Sequence, residues 1–326
     1  MTEINIIDNN KYILCVPQGG FNDQLSVIYV CYRYSKLTNR ILLVYNNCLD
    51  SNDIVNDNIF NSFYNFDLNE FIHFDDDNVI FEKEKIENIL NNINENEIIK
   101  YYRFENVNIP IKLKKYVMNF NQIKENSIEY ENKDRFRIEF ITKNIFNIDF
   151  DNKLVCYYNC GGIYNLDNNY LNNIYYKNNI KLLYEERKKQ LPNNYISFHI
   201  RNTDYTCDYK TIISNGINYL CDTYELEVNK TNIQYPIYLA TDSIEVVNYM
   251  KKIVNPNYLY IFSTIHPENK PIHHCNYNII DSKTRFIELI LDMLCIIHSE
   301  YFVPSVGGFS ALCQKYFVNK NLIQFV

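Results

Sequence analysis

The stretch YISFHIRNTD, Tyr195–Asp204, joins a short apolar run to a polar loop that begins with an arginine. The run 195–200 has the length and composition of a buried strand. Side chains alternate along a strand, so His199 and Arg201 are expected on one face, pointing into a cleft. The planar guanidinium of Arg201 can form two charge-assisted hydrogen bonds to a phosphate. Asp204 would fix that arginine or accept from a ligand hydroxyl; the alternative is a surface salt bridge in a loop.

Strands and helices alternate on both sides of this stretch. Downstream we predict strands at 236–240, 258–262, 301–304 and 322–326, and helices at 212–224, 244–253 (with Ser243 as N-cap), 284–298 and 309–317. Upstream we predict strands at 12–17, 41–45 and 154–158, and helices at 24–34, 86–93, 135–146 and 175–191, the last a surface helix carrying the charged run 185–189. Such alternation is typical of a parallel sheet with helices on its faces.

The length of the chain sets the number of domains. It has 326 residues, and 47% of them are hydrophobic, enough to bury sizeable cores. Domains of roughly 100–200 residues suggest two in this chain. We therefore predict an α/β fold with two Rossmann-like domains, one at 1–190 and one at 191–326.

Two further loops follow predicted strands and precede predicted helices. They are GGFNDQ, Gly19–Gln24, and SVGGFS, Ser305–Ser310. Paired glycines let the backbone approach a ligand, and a helix N-terminus favours an anion. Each loop alone is equally well explained as a tight turn. Since ligands of open parallel sheets bind at the carboxyl ends of strands, the three loops together predict a phosphate site.

Composition argues against several partners and locations. The formal net charge is −7 and there is no long basic block, which argues against nucleic acid. The start MTEINIIDNN lacks the basic and apolar regions of a signal peptide, and no apolar run reaches the ~18–20 residues of a membrane span. We expect a cytoplasmic protein. Abundant Asn, Ile and Lys suggest an AT-rich genome, such as that of a large DNA virus acting in its host cell, or of a protist.

Metal and cofactor motifs are not found in the sequence. The ten cysteines form no CxxC pair, so we interpret them as reduced, mostly buried thiols rather than zinc ligands. There is no GxxxxGK[ST] loop and no GxGxxG fingerprint, which argues against an oxidoreductase. The run Asp75–Asp77 lies in a polar loop and is interpreted as solvated. We therefore predict a phosphate held by arginine and backbone, with no metal and no cofactor.

Four segments in order resemble the GT-B superfamily of α1,2-, α1,6- and protein O-fucosyltransferases. HIRNTD (199–204) resembles the HxRRxD motif, and GGFNDQ is similar to the opening loop of these enzymes. YLATDS (238–243) is similar to a YxATD segment. The residues from Leu291 through FVPSVGGFSALCQKY are similar to the C-terminal segment. The matches span about residues 12–317, with the middle of the N-terminal half unmatched.

This resemblance implies an inverting, metal-independent transfer of L-fucose from GDP-fucose to a glycan or protein. It also implies that 1–190 is the acceptor-side domain and 191–326 the nucleotide-sugar-binding domain, facing each other across a cleft. Arg201 would bind the β-phosphate and stabilise the departing diphosphate, and His199 would contact the nucleotide or the sugar. Asn22 would contact the diphosphate or the sugar from the facing domain. The implied donor-binding residues are Gly20, Phe21, Asn22, His199, Arg201, Asp242, Asp292, Phe309 and Ser310. In that set Asp242 and Asp292 recognise base and ribose or brace the site, while the Phe309 amide and Ser310 cradle phosphate.

The sequence departs from the family pattern in two places and leaves the catalytic base open. Asn202 replaces the second arginine of HxRRxD, and Gly307–Gly308 replaces bulkier residues. We assign catalytic roles to Arg201, Asp204 and Asp208. The carboxylates near the predicted loops that could act as the base are Asp23, Asp204 and Asp208, and Asp208 is favoured. Two alternatives stay open: another nucleotide deoxysugar donor such as a rhamnose donor, and a non-catalytic sugar-nucleotide- or glycan-binding protein on a decayed transferase scaffold. The acceptor and the oligomeric state are not predicted.

Overall fold

A computed structural model of the chain describes residues 10–18, 20–45, 68–101, 151–160, 166–203, 207–224, 232–263 and 282–326. The helix predicted at 135–146 lies outside these residues. The described residues fall into two compact units, one within 1–69 and 74–166 and the other within 70–73 and 167–326. The predicted domains 1–190 and 191–326 divide the chain elsewhere, and that division stays a prediction.

The described elements alternate along most of the chain. The strands are β1 Tyr12–Gln18, β2 Ile41–Val44, β3 Ile72–Phe74, β4 Val79–Ile80, β5 Ile98–Tyr101, β6 Leu154–Cys160, β7 Ile174–Tyr176, β8 Ile196–Ile200, β9 Ile237–Thr241, β10 Leu259–Tyr260, β11 Tyr301–Val303 and β12 Gln324–Phe325. The helices are α1 Phe21–Thr38, α2 Lys83–Asn91, α3 Asn168–Leu171, α4 Asn178–Lys188, α5 Tyr209–Tyr224, α6 Ile244–Ile253, α7 Ser282–Ile297 and α8 Gly308–Val318.

The N-terminal unit is built on a five-stranded sheet in the order β4-β2-β1-β6-β5, with every described pairing parallel. Tyr12 of β1 pairs with Ile41 on one side and Leu154 on the other. Strand β1 is therefore central, and its residues 12–17 are buried whichever face they point to. This explains its nearly continuous apolar sequence, which is typical of strands covered on both faces.

The C-terminal unit contains a parallel sheet in the order β10-β9-β8-β11. Strand β8 is central, because Ile196 pairs with both Ile237 of β9 and Tyr301 of β11. Helix α5 packs closely on this sheet: a Cβ added at Gly216 would lie 2.6 Å from the Phe198 ring. A second, three-stranded sheet has the order β12-β7-β3.

One local prediction was wrong, and another was confirmed only in part. The predicted helix 175–191 is a strand at Ile174–Tyr176 followed by helix α4, because Tyr175 pairs in parallel with Gln324. Ser243 does occupy the N-cap position of α6, but its side chain does not cap the helix. Its hydroxyl oxygen accepts instead from the Asn202 side-chain amide at 3.4 Å.

Candidate functional site

The carboxyl end of the central strand β8 carries Arg201, and its backbone is held from two directions. The Arg201 N–H donates to Ser305 Oγ at 3.1 Å, just beyond β11. The Arg201 carbonyl accepts from Cys207 Sγ at 3.1 Å. Ser305 is fixed in turn, since its N–H donates to Ser310 Oγ at 3.0 Å. The arginine therefore starts from a fixed backbone, and fewer conformations must be lost when it meets a ligand.

Gly307 lies against the Arg201 side chain. A Cβ added at Gly307 would sit 3.1 Å from Arg201 Nη1. The backbone of Gly307 has φ 103° and ψ 164°, a region that is essentially restricted to glycine. The second departure from the family pattern therefore makes room for the guanidinium.

Asp242, at the end of β9, braces the loop that follows Arg201. One carboxylate oxygen accepts from the Asn202 N–H at 2.9 Å, and the other accepts from Thr203 Oγ1 at 2.5 Å. The neighbouring Thr241 hydroxyl donates to the Ile200 carbonyl at 2.6 Å. These contacts tie the ends of β8 and β9 together. The roles that the resemblance implies for Asp242 in the donor site stay predictions.

His199 lies next to Phe309, with ring centroids 5.0 Å apart in an edge-to-face arrangement. Its Nδ1 is buried and has no hydrogen-bond partner within the described residues. Burial, and secondarily the charge of Arg201, lower the pKa of His199 to about 3. The ring is therefore neutral at physiological pH. It offers one unused polar atom beside Arg201, as a donor or an acceptor according to its tautomer.

The first turn of α1 carries a second unused polar group. Asn22 is only 4% exposed, and neither its Oδ1 nor its Nδ2 has a partner in the part of the chain that is described. Phe21 beside it is buried, and the Gly20 N–H donates to Asp23 Oδ2 at 3.2 Å. Burying an amide without partners is costly. An unsatisfied amide at a helix start therefore points to a ligand group or water there.

Asp292 lies on α7 in a buried polar cluster rather than with an open face. One oxygen accepts from Arg187 Nη1 at 3.1 Å and from the Tyr238 hydroxyl at 2.5 Å. The other accepts from Ser263 Oγ at 2.6 Å. Arg187 also pairs with Glu288 at 2.5 Å. Burial raises the pKa of Asp292, against the opposing effect of Arg187. The cluster links α4, α7 and β9. The roles that the resemblance implies for Asp292 in the donor site stay predictions.

Of the two remaining catalytic candidates, Asp208 lies within the described residues and Asp204 does not. Asp208 is exposed, and its carboxylate accepts from the Thr211 N–H at 3.1 Å and the Thr211 hydroxyl at 2.7 Å. It therefore caps the start of α5. These hydrogen bonds lower the pKa of Asp208, which makes it a weaker base. Asp204 lies outside the described residues, and its predicted role stays a prediction.

Some residues of the site escaped the sequence interpretation. The charged run 185–189 predicts a surface position for Arg187, yet this residue is buried against Asp292. Ser305 and Cys207 were given no role, although they fix the Arg201 backbone. No local signal marks these contacts, because the partners are far apart in sequence or depend on loop geometry.

The described residues offer neither a cluster of potential metal ligands nor a helix that could span a membrane. They contain no group of three or more His, Cys, Asp or Glu side chains arranged to hold a metal ion. None of their helices combines the length and apolar character needed to cross a membrane.

Solved structures of fucosyltransferases align with most of this chain. NodZ fucosyltransferase from Bradyrhizobium aligns over 94% of this chain and 93% of its own, with a TM-score of 0.55 and 12% identity. NodZ α-1,6-fucosyltransferase soaked with GDP-fucose aligns over 97% and 93%, with a TM-score of 0.55 and 12% identity. The apo-form of POFUT1 aligns over 98% of both chains, with a TM-score of 0.52 and 12% identity.

The chain has the GT-B fold of fucosyltransferases. The α/β, GT-B class predicted from the four motifs is thus confirmed, while the facing arrangement of two domains stays a prediction. No protein-family model matches the sequence, and no curated protein sequence is significantly similar to it. At 12% identity the likeness concerns the fold. Function must therefore be argued from the GT-B site itself.

Proposed function

We propose that this protein is an inverting, metal-independent glycosyltransferase that transfers L-fucose from GDP-fucose to a glycan or protein acceptor. The observation that carries the proposal is Arg201, fixed at the end of the central strand of a fucosyltransferase-like sheet through Ser305 and Cys207. The NodZ structure soaked with GDP-fucose has the same fold and supports this choice of donor.

In the proposed reaction an acceptor hydroxyl attacks the anomeric carbon from the face opposite the diphosphate. The new carbon–oxygen bond forms as the bond to the diphosphate oxygen breaks, and GDP leaves with that electron pair. Arg201 stabilises the negative charge that develops on the diphosphate, a contribution that preorganised donors supply without a metal. The hydroxyl proton passes to a base.

His199 and Asn22 are the proposed polar contacts to the donor. The neutral ring of His199 has an unused Nδ1 close to Arg201, and the amide of Asn22 is buried without partners in the described residues. Phe309 supports the histidine ring edge-to-face. Gly20 and Phe21 complete the proposed donor-binding loop at the start of α1.

The base and the biological setting remain part of the proposal. Asp208 and Asp204 are the predicted candidates for the base, and the capping contacts of Asp208 weigh against it. The domain division at 190/191 and the cytoplasmic location also stay predictions.

Turnover of the donor tests the proposal. We would incubate the protein with GDP-fucose in EDTA, with and without a panel of glycan and peptide acceptors, and measure GDP release and fucose transfer. UDP- and dTDP-linked deoxysugars, including a rhamnose donor, are tested separately as alternative donors. We expect GDP-fucose to be consumed in EDTA by the wild type and not by R201A. Consumption of another donor alone would contradict the assignment of fucose.

A non-catalytic role is the second candidate. Asn202 replaces an arginine of the family motif, and its side-chain amide donates to the Ser243 hydroxyl. A decayed transferase would bind GDP and GDP-fucose without releasing fucose to water or to any acceptor of the panel.

A further inference from the structure

The loop Ser305–Gly307 and the start of α8 surround Arg201 in a way that the family resemblance does not imply. That resemblance assigns Ser310 and the Phe309 amide to the phosphate. Ser310, however, is 1% exposed, and its Oγ accepts from the Ser305 N–H at 3.0 Å. The Ser305 hydroxyl accepts from the Arg201 N–H. These hydrogen bonds form a relay that ends at the arginine backbone, so the described contacts of Ser310 serve the protein.

Gly307 acts on the other end of the same arginine. A Cβ at this position would lie 3.1 Å from Nη1 and 3.7 Å from Cδ of Arg201, so the arginine side chain runs along the glycine. Any side chain at position 307 would press on the guanidinium. Its φ of 103° with ψ of 164° would also strain every L-residue. The backbone position of Arg201 and the space open to its side chain thus both depend on one segment, Ser305–Ser310.

We propose that Ser305–Ser310 is the positioning element of Arg201: Gly307 leaves the space that the guanidinium occupies, and Ser310 fixes the backbone through Ser305. The proposal rests on the function assigned to Arg201 above, but it concerns the geometry of the free protein. Gly307 and Ser310 are positioning residues that act through Arg201. The Ser310 hydroxyl then contributes to recognition of the diphosphate through Arg201 and not by direct contact.

A double-mutant cycle tests the coupling of Gly307 to Arg201. We would titrate GDP into the wild type, G307A, R201A and the double variant. We expect G307A to weaken GDP binding about tenfold in the wild-type background and to have no further effect in R201A, since the lost interaction is the same one. Equal weakening in both backgrounds would overturn the proposal.

Ser310 provides a second, milder variant in case G307A folds poorly. S310A removes the acceptor of the Ser305 N–H, whereas S310T keeps a hydroxyl. We expect S310A to weaken GDP binding about threefold to tenfold and S310T to restore most of it. Because a phosphate ligand at Ser310 would act independently of Arg201, S310A is also combined with R201A. Additive losses in S310A and R201A would mean instead that Ser310 contacts the phosphate directly, and would overturn its positioning role.

A readout without nucleotide separates this proposal from the proposed function. The side-chain Nε–H signal of Arg201 is followed by NMR with labelled arginine and assigned with R201K. We expect it to shift or broaden in G307A. G216A is the matched control, because its Cβ would clash with Phe198 and Val303 and lower stability in the same unit. An unchanged signal in G307A, or the same change in G216A, would overturn the positioning role even if GDP binds. A changed signal without GDP binding would reject only the donor.

Discussion

At the scale of single residues, His199 and Asp208 show how differently two titratable groups near Arg201 are placed. His199 has a buried Nδ1 and packs against Phe309, whereas Asp208 is exposed and bound to Thr211. The sequence predicts His199 as a donor contact, from strand alternation and its motif, and Asp208 as the base, from its place near the same loop. Their surroundings come from α5 and α8, so sequence alone could not rank them.

His199 makes stability depend on pH in a defined direction. Its pKa falls from 6.5 to about 3 in the folded protein, so the unfolded chain takes up the proton first as pH decreases. The stabilising contribution is complete above pH 6.5 and is lost progressively towards pH 3. Between pH 7 and 4.5 we expect the wild type to lose about 2–2.5 kcal/mol more stability than H199F, measured by urea unfolding. Equal losses would mean that the surroundings of His199 do not lower its pKa.

Asp208 is expected to act as a helix cap. D208N keeps an efficient N-cap and removes the carboxylate, whereas D208A removes both. We expect D208A to lower the melting temperature more than D208N, and D208N to retain turnover of the donor within about twofold. A stable D208N protein that binds GDP normally but has lost turnover would show instead that Asp208 is the base.

At the scale of elements, local patterns predicted those whose partners are close in sequence. Helix α6 has the predicted bounds 244–253, because its apolar spacing and first-turn polarity are local. Strand β7 was missed, since only its pairing with β12, about 150 residues later, separates it from the helix that follows. The cluster of Arg187 with Asp292 is a long-range contact of the same kind.

That cluster should contribute strongly to the packing of α4 on α7. Removing one member leaves the other charge buried, so R187A and D292A are each expected to cost about 3–5 kcal/mol in unfolding free energy. The double variant should cost clearly less than the sum. E186A on the exposed side of α4, where Glu186 pairs with Lys189, should change stability by about 0.5 kcal/mol or less. Additive effects of R187A and D292A would contradict the direct contact.

At the scale of the whole molecule, four short motifs in the right order sufficed to predict the GT-B class. Each of them includes the loop at the carboxyl end of a strand, where open parallel sheets bind their ligands. The limits of the two compact units could not be predicted, because the elements 167–190 pack with the C-terminal unit through contacts made by α7 and β12. The acceptor depends on surfaces that no motif describes.

The central claim is that Arg201 holds a guanosine diphosphate without a metal. Calorimetric titration with GDP, UDP and ADP in EDTA, for the wild type, R201A and R201K, tests it most directly. We predict that GDP binds the wild type, that R201A binds about 10–100-fold more weakly, and that R201K falls between them because lysine keeps the charge but loses the planar fork. Wild-type binding that requires a divalent metal, or that survives intact in R201A, would contradict the account.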